Sequence, residues 1–145
     1  MSRVVCYPRC CKPITYDENV SYFEVFSSPE TSLANVGHVG IQILNEMRRS
    51  QIHPSVLAFD FLMLALGVVS ADKALLRSEC ADGWTRQIDL TVFVQEYDRW
   101  IEESCLIEEM LRFLTGDFWR IHFEKLNTIL ILHIVLQMNM CFVVQ

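Results

Sequence analysis

Three groups of residues in this chain are of types that could do chemistry. Cys6, Cys10 and Cys11 stand as C-x3-C-C. A zinc site is expected to show C-x2-C pairs or a Cys/His quartet at set spacing, so the cluster reads first as buried or loop thiols, with zinc as the minor alternative. Asp60 stands at the head of an apolar run, Phe61 to Val69, that has no polar side chain. A carboxylate there is costly unless it is paired. It is either a tuned acid or ligand contact, or a hydrogen bond or ion pair that ties its helix to a neighbour such as Arg86. The second reading is favoured. Trp84-Thr85-Arg86 leads into an alternating segment. It is either a binding surface, or Trp84 packs on the sheet while Arg86 pairs with an acid. His38, His53, His122 and His133 are far apart, and no two are four residues from one another, so there is no H-x3-H metal pair. His122, beside Trp119 and Phe123, reads as a hydrogen-bonded sheet residue rather than a base. No G-x-G-x-x-G, Walker lysine loop or G-x-S-x-G elbow is present.

The elements that must position these residues belong to one domain of 145 residues. With 52% hydrophobic and 21% charged residues, the chain can bury a core. A net charge of −6 argues against direct nucleic-acid binding, which needs a field of Lys and Arg. The charge is uneven: Ser78 to Glu124 holds eleven acids against four arginines. Met1 to Pro13 lacks the apolar stretch of a signal peptide. The expectation is a cytoplasmic protein whose six cysteines stay reduced.

Along the chain, Arg3 to Tyr7 predicts a strand ended by Pro8, and Val20 to Phe26 a second. Val36, Val39, Ile43, Leu44 and Met47 recur at helical spacing, which predicts a helix over Val36 to Arg49. His53-Pro54 opens a helix to about Leu76, with Pro54 in its first position, buried on most sides. Asp82-Gly83 marks a turn. Gln87 to Val94 alternates as a half-buried strand. Asp98 caps a helix of about four turns whose buried stripe is Trp100, Ile107, Leu111 and Leu114, with Gly116 as its stop. Phe118 to Phe123 is a last strand, with Trp119, Ile121 and Phe123 on one face. The order β-β-α-α-β-α-β predicts an α+β fold: a mostly antiparallel sheet of about four strands packed on about three helices. Domain and tail divide as 1–125 and 126–145. Leu126 to Gln145 has no charged residue, and fourteen of its twenty residues are apolar. It is a membrane helix, a last element of the domain, or a non-native end. A membrane span is disfavoured because polar residues are spread through it and no basic cluster follows.

Three stretches carry a family resemblance: Ala58-Phe59-Asp60-Phe61 through Val69-Ser70-Ala71-Asp72-Lys73, Asp82 to Leu90 with its D-G-W-T-R, and Met110 to Phe123 with its F-L-T-G-D-x-W. Together, over roughly Val36 to Glu124, they resemble the N-terminal region of the QueC-like proteins of Qat-type anti-phage defence systems. In that family the stretch precedes a domain resembling 7-cyano-7-deazaguanine synthase, an ATP-dependent ligase. Its S-G-G-x-D-S loop binds the phosphates of ATP and activates a carboxylate by adenylation. This chain has no such loop and no four-cysteine zinc cluster. The resemblance therefore carries over no catalytic, cofactor-binding or metal residue. Asp60, Asp72, Trp84, Arg86, Gly116, Asp117 and Trp119 carry over as family landmarks without an assigned catalytic role.

The resemblance implies an accessory N-terminal domain, inactive alone, with ATP used only by the catalytic domain. It implies other defence-system subunits as partners, an ATPase and a TatD-like nuclease among the neighbouring genes. Membrane attachment is not expected. It favours reading the tail as the result of a frameshift or truncation near Leu126. The alternative functions are a stand-alone interaction module or membrane-tethered regulator, and a small enzyme using Asp60 or a cysteine.

Overall fold

The computed structural model describes residues 2–27 and 36–126. Strand β1, Ser2–Pro8, is followed by a single 3-10 turn, Arg9–Cys11, and a loop that leads to β2, Val20–Val25. A third strand, β3, covers Val36–Val39 and runs directly into α1, Ile41–Arg49. The long apolar helix α2 is Val56–Ala74, and β4 is Gln87–Val94. Two short helices follow, α3 (Tyr97–Glu102) and α4 (Ser104–Thr115), and β5, Phe118–Lys125, ends the described fold.

All five strands form one sheet in the order β3-β2-β1-β4-β5, and every pairing is parallel. This corrects the expected α+β fold with an antiparallel sheet: the chain is α/β. The expectation failed for a physical reason. Parallel neighbours usually need a helical crossover, and residues 9–19 contain only the 3-10 turn. Such a connection reads in sequence as the link of an antiparallel pair. Here it instead folds back over one face of the sheet. Tyr16 packs edge-on against Tyr22 at 4.8 Å between ring centroids, and its hydroxyl lies 3.1 Å from that of Tyr7. The Asp17 N–H donates to the Tyr22 hydroxyl at 3.1 Å. The loop thereby returns the chain to the end from which β2 can run alongside β1.

The expected helix over Val36 to Arg49 is split. Val36–Val39 pairs with β2, and Gly40, at φ +84°, turns the chain into α1. Helix α2 starts later than expected. Ser55 caps it, its Oγ accepting from Ala58 N–H at 3.3 Å, so Pro54 lies outside the helix. The single helix expected from Asp98 is broken at Glu103 into α3 and α4, and Asp98 lies in the first turn of α3 rather than at its cap.

The main core lies between the helices and one face of the sheet. Val4 and Cys6 of β1, the even-numbered residues Ile88 to Val94 of β4, and Trp119, Ile121 and Phe123 of β5 meet Phe59, Met63 and Leu66 of α2 and Ile107 and Leu111 of α4. Leu114, expected in that stripe, is exposed. Helix α2 is not buried on most sides either: Leu57, Phe61 and Val69 face outward. On the second face a smaller cluster, Tyr7, Val20 and Tyr22, packs with Cys11 and Tyr16 of the loop. Leu126 is buried, and its N–H donates to Val94 O at 2.7 Å, so it belongs to the sheet's end rather than to the tail. Residues 127–145, on which the three readings of the tail bear, lie outside the described residues.

Candidate functional site

Six of the seven family landmarks gather at the amino-terminal ends of β4 and β5. Arg86, the residue before β4, and Asp117, the residue before β5, are both buried. The Arg86 Nη2 donates to Asp117 Oδ2 at 2.6 Å and to Asp72 Oδ1 at 2.6 Å. Its Nη1 donates to the carbonyls of Asp72 (2.9 Å) and Leu75 (3.0 Å), which end α2. Asp117 also accepts from the Arg86 N–H at 3.0 Å and from both Nη1 and Nη2 of Arg77, at 2.9 and 3.0 Å. One carboxylate and two guanidiniums thus tie the end of α2, the start of β4 and the start of β5 together. Burial pushes the Asp117 carboxyl up, but the hydrogen bonds and charges of Arg86 and Arg77 outweigh it and hold the group below the usual carboxylate range. The hydrogen bond from Arg86 to Asp117 in turn raises the guanidinium's already high value.

The other landmarks support this joint. Gly116 takes the left-handed conformation, φ +75°, that ends α4 and turns the chain toward Asp117. The Trp119 indole N–H donates to Thr115 Oγ1 at 2.9 Å. Trp84 is exposed, with the Arg77 guanidinium 5.5 Å from its ring centroid. Asp82 holds the turn before it, accepting from the N–H groups of Trp84 and Thr85 at 2.9 and 2.8 Å, which lower its carboxyl to about 2.

Asp60 lies apart from this cluster, fully buried. Its partner is not Arg86. It accepts from the backbone N–H of Gln95 (2.9 and 3.0 Å to its two oxygens), from that of Glu96 (2.9 Å) and from the Trp100 indole N–H (3.0 Å). A carboxylate with N–H donors on both oxygens is a fastener. It pins α2 to the loop that leads from β4 into α3, and three N–H donors on a fully buried carboxylate suit that structural role rather than contact with a substrate.

The position of the ion network matters. Parallel α/β sheets bind ligands outside the carboxyl ends of their strands; the ion network sits at the opposite end, and of the landmarks Asp60 alone, held by Gln95 and Glu96 just past β4, lies at the carboxyl end. The carboxyl ends carry Cys10, Cys11, Glu24, Ser27 and His38. Burial raises the Cys10 thiol and pushes Cys11 up to about 11 and Cys6 up to about 12, so none of the three is an activated thiolate. Ser27 Oγ lies 2.7 Å from His38 Nδ1 and donates to the Glu24 carbonyl at 3.3 Å. The shorter contact, to the imidazole, runs in either direction according to the His38 tautomer, and it bridges β3 to the end of β2. Among the described residues, no group of three His, Cys, Asp or Glu side chains is placed to hold a metal ion.

Sequence reasoning missed two further contacts. Arg77 shares Asp117 with Arg86, although nothing in its local sequence marks it. His122 contacts Asp89 through Nε2 and Oδ1. The pair stands on adjacent strands, with Asp89 beside Arg120 and Thr91 beside His122 in the register. The alternation of β4 could have found it, had the strand's neighbour been known. Both residues line a cavity of about 370 Å³ on the sheet's second face, with the Arg3–Asp17 ion pair (2.8 Å) on its other side. No helix among the described residues is long and apolar enough to cross a membrane. No family model matches the chain, and comparison with curated proteins and with solved structures finds no match.

Proposed function

We propose that this chain is a non-catalytic, cytoplasmic N-terminal domain of a QueC-like, ATP-dependent deazaguanine-modifying protein of anti-phage defence. One observation carries the reading. Asp72, Arg86 and Asp117 come from three separate stretches of the resemblance, and they meet in one ion network, buried at Arg86 and Asp117 and exposed at Asp72. Arg86 and Asp117 use their hydrogen-bonding groups to join α2, β4 and β5, and Asp72 adds one carboxylate oxygen. A family would retain such residues to keep the fold, not to perform a reaction. The sheet's second face adds support. Parallel sheets are normally covered on both faces, and among the described residues only the 9–19 loop packs there. A following domain would have room to seat against the remainder.

ATP would then be bound by the catalytic domain, and the partners would be the other subunits of the system. Two measurements test this. Isothermal titration of the full chain with Mg-ATP should give no heat of binding. A saturable site would overturn the reading, as would downstream DNA that encodes no S-G-G-x-D-S loop in any frame. A second reading, a stand-alone interaction module, is favoured by the apolar side chains that α2 and α4 leave in solvent.

A further inference from the structure

Helix α4 buries only Ile107 and Leu111 against the sheet. Its next stripe is equally apolar and lies in solvent: Leu106 (63% exposed), Met110 (47%), Phe113 (89%) and Leu114 (67%). Spacings of four, seven and eight residues put these four on one side of the helix. A contiguous exposed apolar stripe on a small domain marks an interaction surface. A separate groove of about 520 Å³ between the first turns of α2 and α3 is lined by Leu57, Phe61 and Trp100, with Arg99 and Glu103 as its two charged residues.

The rim of the α4 stripe is acidic. Glu109 stands one turn from both Leu106 and Phe113, and Glu102 and Glu103 precede Leu106 by four and three residues. All three are exposed, and among the described residues none has an ion-pair partner. The rim therefore favours an occupant with apolar anchors at helical spacing and positive charge beside them. A second copy of this face would set Glu102, Glu103 and Glu109 against their own like.

We infer that the α4 stripe docks a basic amphipathic helix of a partner protein. The partner's apolar anchors pack along the α4 face: Phe113 and Leu106 supply burial, and the three glutamates set orientation and exclude acidic helices. The inference stands on the surface alone and holds whichever reading of the chain's function is correct.

The test titrates the full chain into a fluorescein-labelled amphipathic peptide of Leu and Lys, with a Leu and Glu peptide of the same apolar pattern as control. Anisotropy should show saturable binding of the Lys peptide, with Kd on the order of 10 μM. It should weaken several-fold between low and high salt. Phe113→Asp, at a position too exposed to threaten the fold, should weaken it at least about tenfold. The double change Glu103→Lys with Glu109→Lys should reverse the preference toward the Glu peptide. Equal binding of the two peptides, or binding unchanged in Phe113→Asp, overturns the proposal. So does a chain that sediments as a dimer and becomes monomeric in Phe113→Asp, which would assign the stripe to a second copy. Peptide binding that emerges only when residues 127–145 are removed would assign it to that segment and equally overturn the proposal.

Discussion

Asp60 and Asp117 are both fully buried carboxylates, and they are held by different means. Asp117 is compensated by full charges, Asp60 by N–H dipoles. Asp60→Asn keeps the shape but replaces one acceptor oxygen by an amide that points hydrogens at the N–H groups of Gln95 or Glu96. Leaving such donors unsatisfied costs about 2 kcal/mol, so a urea melt should show that loss with the same slope; a variant as stable as the parent would contradict the fastening role. Removing the charge partner of Asp117 is worse. Arg86→Ala leaves a buried carboxylate with Arg77 alone and should destabilise the fold by about 3–5 kcal/mol, or leave it unfolded, as seen in near-UV circular dichroism. The pH dependence follows in sign. A carboxyl held low in the folded state contributes stability that is present above its ordinary value and lost as pH falls through the folded value. Asp117 and Asp82 are both lowered. Stability should therefore decline as pH falls below about 4, the ordinary aspartate value, and Asp117→Asn should be less stable at neutral pH with a shallower decline in acid.

Elements differ in how plainly the sequence displays them. The alternation of Gln87 to Val94 marks β4 to the residue, because one face is buried and period two is unmistakable. The Trp119, Ile121 and Phe123 face of β5 is read as easily. The Val36–Val39 strand is not. Its two valines are three apart and fit the helical spacing of the residues that follow, and four residues are too few to establish a period of their own. Gly40 held the missing signal. Its φ of +84° lets the chain leave β3 and enter α1 at once, and a Cβ there would lie 2.8 Å from Leu66 Cδ1. Gly116 has the same hand of backbone, at φ +75°, but nothing lies within 4 Å of the position of its Cβ. The two alanine variants should therefore separate. Gly116→Ala carries only the backbone term, about 1–2 kcal/mol, while Gly40→Ala adds a clash between α1's start and α2 and should lose more. Chemical denaturation of both reads the difference, and equal losses would mean that Leu66 yields freely. Of the candidate site, the residue types were legible and the partners were not. Asp60 reads as an anomalous carboxylate from its neighbours in sequence, but its donors, Gln95, Glu96 and Trp100, lie a whole helix and strand away.

At the scale of the whole molecule, strand order decides which backbone is hardest to open. β1 lies between β2 and β4, and β4 between β1 and β5, so both are hydrogen-bonded along two edges. Among the described residues β3 and β5 have one strand neighbour each. The outer edge of β5 is partly closed by Glu108, whose Oε1 accepts from Ile121 N–H at 2.8 Å; β3 is four residues long. Amides in the middle strands can exchange only by opening that approaches the global unfolding, whereas edges open locally. The exposure of the sheet's second face does not alter this, because the ladder of β1 lies in the plane of the sheet while Val5 and Tyr7 point out of it. Hydrogen–deuterium exchange should find the slowest amides in Val4 to Tyr7 and Ile88 to Val92, faster ones in β5, and the fastest strand amides in Val36–Val39. The same sample distinguishes parallel from antiparallel pairing. Cross-strand Hα–Hα contacts are short only between antiparallel strands, so nuclear Overhauser spectra should lack them between Arg3 to Pro8 and Val20 to Val25. Their presence, or slowest exchange at β3, would refute the strand order and with it the placement of Arg86 and Asp117 at one end of the sheet.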